Sequence, residues 1–250
     1  MTPEINAMFA SVKDRYGEFS TERVEQMLVT GKQDRDPLQH GAKWIMPGIS
    51  KTPWHDPYGH PEIMPVVRAF EDSHPAIKAE FEQAWKMHSA EFSDYQHYLS
   101  SQSDWQALYL FRKGVLVERS ADVAPTAFRV LDSEVVTQGK LCTLLESHFS
   151  TLLPGASIAP HCDLWNFSIN LHLAIDIPEK CHLRVAEETR EWQEGKCLLF
   201  DYSYEHEAWN NGSLPRTCLL VDLWHPDTTL PEREALVGLI TEIRKLTGES

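Results

Sequence analysis

His161 and Asp163 stand one residue apart, and a second histidine, His206, follows well downstream. In an extended segment residues i and i+2 project the same way, so His161 and Asp163 can grip one ion while Cys162 points elsewhere. Two imidazoles and one carboxylate on one face leave the opposite coordination positions open. That ligand set suits ferrous iron reacting with O2. Arg216, shortly after His206, carries a planar guanidinium fitted to a two-point grip on a carboxylate. Together these groups would make an iron centre that also binds an organic acid. With 12 histidines in 250 residues, a His-x-Asp pair also arises by chance, so the pair gains weight only from what positions it.

His161 closes a strand-like Ser157–Pro160 that follows the turn-like Leu152-Leu153-Pro154-Gly155. His206 lies in Asp201–Glu207, just past the apolar strand Cys197–Phe200. A jelly roll can set that strand end beside the first pair. From about residue 105 short strands are predicted at Leu108–Phe111, Gly114–Glu118, Leu144–His148, Asn166–Leu173, His182–Val185, Lys196–Phe200 and Thr217–Trp224. Pro, Gly and Asn/Asp clusters separate them, which points to a double-sheet barrel or jelly roll. Asn166–Leu173 alternates strictly, with Phe167, Ile169, Leu171 and Leu173 on one face and Asn166, Ser168, Asn170 and His172 on the other. A wet outer face or the wall of a ligand cavity fits that pattern; the position just after His161 and Asp163 favours the cavity.

The first 100 residues lean helical. Ser20-Thr21-Glu22 opens a short helix with Val24, Met27 and Leu28 on one face. Prolines punctuate residues 36–66, which read as loop. Pro75 reads as the first-turn proline of a helix whose Ile77, Phe81, Ala84, Trp85, His88 and Phe92 form a core-facing stripe. A C-terminal helix is predicted over 231–247, carrying Leu236, Leu239, Ile240, Ile243 and Leu246 on one side and stopped by Gly248. No repeat or linker divides the chain. Residues 1–250 are expected to form a single domain: a mainly helical part (1–100) packed on a β core (104–229), then the last helix.

The net charge is −14, from 37 acidic and 23 basic residues, with no dense basic run. Nucleic acid and anionic membranes are poor electrostatic partners for such a chain, and an acidic ligand would need a local basic pocket. The N-terminus does not read as a signal peptide and no apolar run is long enough for a membrane span, so a cytoplasmic protein without a membrane partner is expected. Five irregularly spaced cysteines with no Cys-x-x-Cys read as reduced thiols rather than a zinc site. No nucleophile-elbow context surrounds a serine, which disfavours acyl-transfer chemistry.

Longer motifs add to this. They are Asp104-Trp105 with Leu108-Tyr109, Ser150 with Leu153-Pro154-Gly155, Pro160-His161, and Asn170 through Leu173. Cys181 through Val185, Glu188 through Lys196, Phe200-Asp201 with Tyr204 through Trp209, and Val221 through Pro226 continue the set. Pro47-Gly48-Ile49 and Pro53-Trp54 stand upstream. Together they resemble the aspartyl/asparaginyl β-hydroxylase family of Fe(II)/2-oxoglutarate-dependent oxygenases. The resemblance implies a mainly β fold with flanking helices around a double-stranded β-helix, a jelly-roll or cupin-like core. It implies iron at His161 and His206, the distal carboxylate of 2-oxoglutarate on Arg216 assisted by Ser150, and His172 near the other carboxylate. Asn170 falls in the same cosubstrate surroundings.

In the animal enzyme of this family a glycine matches Asp163. Here Asp163 completes the triad, which leaves no ligand position for chloride and favours hydroxylation over halogenation. That enzyme has arginines where this chain has Ser168 and Asn170, which turns the expectation away from an aspartyl substrate. Its membrane anchor and helical repeats are not matched, and a folded extracellular-type domain is not the expected substrate. The expected activity is O2- and 2-oxoglutarate-dependent hydroxylation of an unactivated C–H in an amino acid, free, peptidyl or carrier-tethered, with release of succinate and CO2. The same chemistry on a lipid acyl chain, or a β-helical module that binds metal without turnover, are the alternatives. Arg112, Arg119 and Arg129 are unranked candidates for substrate contacts. Trp105 and Trp165 could wall the pocket; Trp192 and Trp209 are expected to pack, His182 to face solvent, and His225-Pro226 to form a structural turn.

Overall fold

Apolar and polar side chains alternate through the second half of the chain, and in the computed structural model that alternation becomes two facing antiparallel sheets. The structure describes residues 1–30, 35–87, 92–94 and 104–248. In chain order the strands are β1 (Trp54–His55), β2 (Ser93–Asp94), β3 (Trp105–Arg112), β4 (Val115–Leu116), β5 (Glu146–Leu152) and β6 (Ser157–His161). Then come β7 (Ser168–Asp176), β8 (Cys181–Val185), β9 (Glu188–Glu191), β10 (Cys197–Phe200), β11 (His206–Asn210) and β12 (Arg216–Trp224). The larger sheet runs β1-β10-β7-β12-β5-β3-β2, with β4 beside β3; the smaller runs β6-β11-β8-β9.

From β5 to β12 the chain crosses back and forth. β5, β7, β10 and β12 belong to the larger sheet; β6, β8, β9 and β11 belong to the smaller. The first strand of this set pairs with the last, Ser150 opposite Cys218. This is a double-stranded β-helix, mainly β with helices outside, as the spacing and the resemblance led one to expect. Gly155, at a φ of +77°, turns the chain from β5 into β6, a backbone conformation that suits a residue without Cβ.

Alternation decides what faces where. On β12, Leu219, Val221 and Leu223 point outward into a cluster shared with Ile169, Leu171 and Leu173 of β7. Helix α3 (Met64–Met87) lays Val66, Val67, Phe70, Ile77 and Phe81 on that outer face. The inward residues Arg216, Leu220 and Asp222 face the smaller sheet across a cavity. At one end of the sandwich, α1 (Pro3–Tyr16), α2 (Glu22–Thr30) and α7 (Leu230–Thr247) pack together through Phe9, Val12, Met27, Leu236, Leu239 and Ile240. The contact is close: a Cβ on Gly238 of α7 would fall 2.5 Å from Met8 Cγ of α1. Three short helices, α4 (Ser120–Val123), α5 (Pro125–Leu131) and α6 (Glu134–Thr137), sit between β4 and β5.

Several expectations need correction. α3 does not begin at Pro75; it begins at Met64, and Pro65 is its first-turn proline. An interior proline costs about 3 kcal/mol or more, while each fully buried aliphatic or aromatic side chain returns about 1.5–3 kcal/mol. The apolar stripe on both sides of Pro75 therefore holds the helix together. Phe92 lies beyond the helix yet still packs against Phe81 and Trp85; His88 lies outside the described residues. Leu246 is 66 % exposed rather than part of the buried stripe of α7. Strands β9 and β11 were not anticipated, because Glu188, Glu191, Glu207 and Trp209 face outward and blur the alternation. All five cysteines are free thiols.

Candidate active site

The two sheets enclose a cavity of about 240 Å³. His161, Asp163, His206, Ser150, His172, Asn170 and Arg216, the residues singled out from the sequence, all line it. The smaller sheet supplies the histidines. β6 and β11 are paired with His161 directly opposite His206, and their rings stand 4.0 Å apart between centroids. Asp163 follows just past the end of β6, tied there by its backbone N–H to the Tyr202 carbonyl at 2.9 Å. Its Oδ2 lies 3.9 Å from His161 Nε2 and 3.5 Å from His206 Nε2. One donor atom from each of the three residues lies within 4.8 Å of the others.

The backbone sets the tautomers. His161 Nδ1–H donates to the Ala159 carbonyl and His206 Nδ1–H to the Tyr204 carbonyl, each at 2.9 Å. Both Nε2 lone pairs are left to face Asp163, the arrangement that orients metal-bound imidazoles. Burial lowers the pKa of both rings, and the His161 ring beside it adds to the effect at His206, pushed down to about 3. Both are therefore neutral, as ligands must be. Desolvation, with the Glu146 carboxylate nearby, raises the Asp163 carboxyl above its usual range, although its side chain keeps 40 % exposure at the cavity mouth. A bound cation reverses that direction. The donor set therefore fits a divalent transition metal that takes nitrogen and oxygen ligands and retains open positions.

The larger sheet forms the opposite wall. Leu220 of β12 lies between His172 of β7 and His148 of β5 in register. Arg216, at the start of β12, is 2 % exposed. Its guanidinium sits 4.7 Å from the centre of the Trp192 ring, its Nε finds no acceptor, and among the described residues no carboxylate pairs with it. Trp192 Nε1–H donates to His172 Nδ1 at 3.4 Å, and the two rings stack. Trp105 Nε1–H donates to Ser150 Oγ at 2.8 Å.

The polar face of β7 divides. Asn170 and His172 reach the cavity, but Asn166 spends both carboxamide ends on the Met46 backbone, and Ser168 is bonded to Trp165 and Tyr202. Trp165 therefore packs, whereas Trp105 is a wall. Arg112 lines the cavity; Arg119 and Arg129 are exposed near α4 and α5. Trp192 does more than pack, because it holds both Arg216 and His172. His148, Glu146 and Asp222 went unnoticed. Each follows from the two-residue rule: His148 and Glu146 share the face of Ser150, and Asp222 shares that of Arg216. Cys162 turns away toward the Leu38 carbonyl, and His225 is a buried turn residue whose Nδ1 accepts the Asp227 N–H.

Residues 71–226, more than half of the chain, match the family model described as aspartyl/asparaginyl beta-hydroxylase. The aspartyl/asparaginyl beta-hydroxylase of Mus musculus is 32% identical over 195 residues, covering 77% of this chain and 26% of that protein. Aspartate beta-hydroxylase domain-containing protein 2 of Homo sapiens is 32% identical over 225 residues, covering 81% and 55%. The ornithine lipid ester-linked acyl 2-hydroxylase of Rhizobium tropici is 31% identical over 171 residues, covering 65% and 58%. The chain thus spans about a quarter to somewhat over half the length of these relatives. Among the described residues no helix is long and apolar enough to cross a membrane. With its match running through β3, the double-stranded β-helix and every residue of the cavity named above up to Asp222, the chain belongs to the aspartyl/asparaginyl beta-hydroxylase family.

Proposed function

We propose that this protein is an Fe(II)- and 2-oxoglutarate-dependent dioxygenase that hydroxylates an unactivated C–H of an amino acid or amino-acid-derived substrate. One observation carries the reading: a buried guanidinium, Arg216, that pairs with no carboxylate among the described residues shares a cavity with three converging metal-type donors. A buried charge left unpaired is costly unless a ligand completes it. A small diacid that also chelates a metal answers both features.

His161, Asp163 and His206 would hold the ferrous ion, with the Nε2 atoms fixed by the Ala159 and Tyr204 carbonyls. Arg216 would take the distal carboxylate in a bidentate, charge-assisted pair, braced by Trp192 from one side. Ser150, already accepting from Trp105, keeps its own hydroxyl hydrogen to donate. His172 and Asn170 would border the remaining cosubstrate carboxylate. When bound, iron and 2-oxoglutarate supply the oxidising power: O2 delivers one oxygen atom to the substrate C–H and one to succinate, and CO2 leaves. The protein's part is to fix distances, keep bulk water from the larger-sheet wall and expose one substrate carbon. The charged lining at Glu146, Asp222 and Arg112 suits an amino acid better than an acyl chain. It also suits a reacting site better than an inert metal module.

The test is succinate formation from 2-oxoglutarate under air with Fe(II), before any substrate is known. Slow succinate release that disappears in His206→Ala supports the proposal. Release of equal rate in parent and variant, or none in either, refutes it.

A further inference from the structure

We propose that the substrate is a free α-amino acid recognised as a zwitterion, its ammonium held by Asp222 and Glu146 and its carboxylate by Arg112 and Arg244. The proposal rests on the hydroxylase reading above and narrows it, excluding peptidyl, carrier-tethered and acyl substrates.

The starting point is a mirror image of Arg216. Asp222 stands on the same inward face of β12 and is 7 % exposed. Its Oδ1 accepts from Asn170 Nδ2 at 2.6 Å and its Oδ2 from the Glu146 backbone N–H at 3.2 Å. Among the described residues no cation pairs with it. A buried carboxyl held by amides alone forgoes the partner that would compensate its desolvation. Since Asp222 lines the cavity, a cation can reach it only as part of a ligand. The Glu146 side chain lines the same stretch of wall from β5.

The rim carries the opposite sign. Arg112, at the end of β3, has its Nε 3.6 Å from Glu146 Oε2 and keeps 54% of its side chain exposed. Arg244, in the last turn of α7, also lines the cavity and donates through Nη2 to the Leu144 carbonyl at 2.8 Å. Two further guanidiniums lining one cavity stand out in a chain of net charge −14. Glu146 links the two signs, its backbone N–H on Asp222 and its carboxylate beside Arg112. An α-amino acid presents its ammonium and carboxylate on adjacent bonds of one carbon, and it can bridge the two signs while its side chain extends inward toward the triad. An amide on either group removes one charge and leaves the matching wall residue desolvated without a partner.

Succinate release is measured with Fe(II) and 2-oxoglutarate in the presence of three pools. These are the proteinogenic L-amino acids, their N-acetyl derivatives and their carboxamides. The expected result is stimulation above the substrate-free rate by the free pool, at least about tenfold greater than by either blocked pool. In Asp222→Asn the free-to-acetylated ratio should fall to about one, and in Arg112→Gln the free-to-carboxamide ratio should fall toward one. Each ratio is internal to its variant, and circular-dichroism melts report whether the variant is folded. If Asp222→Asn does not fold, Arg112→Gln, at an exposed position, decides through its own ratio. Blocked pools that stimulate as well as the free pool, or no stimulation by any pool, overturn the zwitterion while the substrate-free rate still upholds the dioxygenase. Loss of the substrate-free rate in the parent overturns both.

Discussion

Replacing Arg216 by methionine separates the cost of a buried charge from its use. In the ligand-free protein the guanidinium is 2 % exposed, with Nε unbonded and the Trp192 face 4.7 Å away. That cation–π contact is worth about 2 kcal/mol when desolvated. Exchanging a buried ion for an apolar side chain of similar volume is commonly neutral or stabilising by about 1–4 kcal/mol. Arg216→Met should therefore leave the ligand-free protein as stable as the parent or up to about 2 kcal/mol more stable. Binding should move the other way. Truncating one member of a buried charge pair costs about 2–5 kcal/mol, so the Kd for 2-oxoglutarate should rise by about one and a half to three and a half decades. The assay is a thermal melt with Mn(II) in place of iron, with and without 2-oxoglutarate at about one hundred times the parental Kd. The parent gains about 2.7 kcal/mol from that ligand excess, or about 5–11 °C in a chain of this size. Arg216→Met should show little of that shift. A retained shift, or a ligand-free variant several kcal/mol weaker than the parent, would refute the reasoning.

Other predictions concern the metal, acid stability and helix packing. His206→Ala should weaken Mn(II) binding, followed by calorimetry, by more than the ten- to hundredfold typical of losing an outer-shell partner; unchanged affinity would remove His206 from the metal. Desolvation holds His55 near 4 and His225 near 3, below the ordinary value of 6.5. A base whose folded pKa is depressed contributes stability that is present above the unfolded pKa and lost as pH falls toward the folded one. Unfolding free energy should therefore drop between pH 6.5 and 4, by up to about 1.4 kcal/mol per pH unit for each ring. His55→Phe should remove one ring's share of that slope in urea titrations, and an unchanged slope would count against the assignment. Gly238→Ala should destabilise by about 1–3 kcal/mol, because its Cβ would meet Met8 Cγ at 2.5 Å; a neutral result in the same titrations would mean that α1 and α7 separate freely.

What could be read from the sequence was what two-residue periodicity controls. The partition of β7 into an outward Ile169-Leu171-Leu173 face and an inward Asn170-His172 face was legible, because a strand buried on both sides still alternates apolar with polar. So was α7, whose proline, capping box at Thr229–Glu232 and Gly248 stop bracket it. The start of α3 was not, because Pro75 sits at a position that would suit a first turn and only tertiary packing shows the helix running through it. The triad's spacing was legible, but the pairing of His161 with His206 depends on β6 meeting β11, a contact between segments with little alternation of their own. Trp192 was unreadable for a similar reason. It follows β9 in a connection between the sheets, and nothing local says that it will lie against Arg216.

Arg216 and Asp222, neither paired with an opposite charge among the described residues, share one strand, and that placement bears on how a substrate and a cosubstrate would be kept apart. Arg216 and Asp222 lie on the same face of β12 six residues apart, which at about 3.3 Å per residue puts roughly 20 Å between their backbones. β12 is hydrogen-bonded on both sides, to β5 and to β7, so neither pole can shift without the centre of the larger sheet shifting too. The donors of the facing sheet lie near the middle of this span: the His206 ring is 5.8 Å from that of Phe200, which is 4.9 Å from His172, the register partner of Leu220. A diacid drawn to Arg216 and a cationic head drawn to Asp222 would thus approach the triad from opposite directions. Their exchange would place like charges at each pole, so the order of the two ligands would be set by a single rigid element rather than by a moving lid.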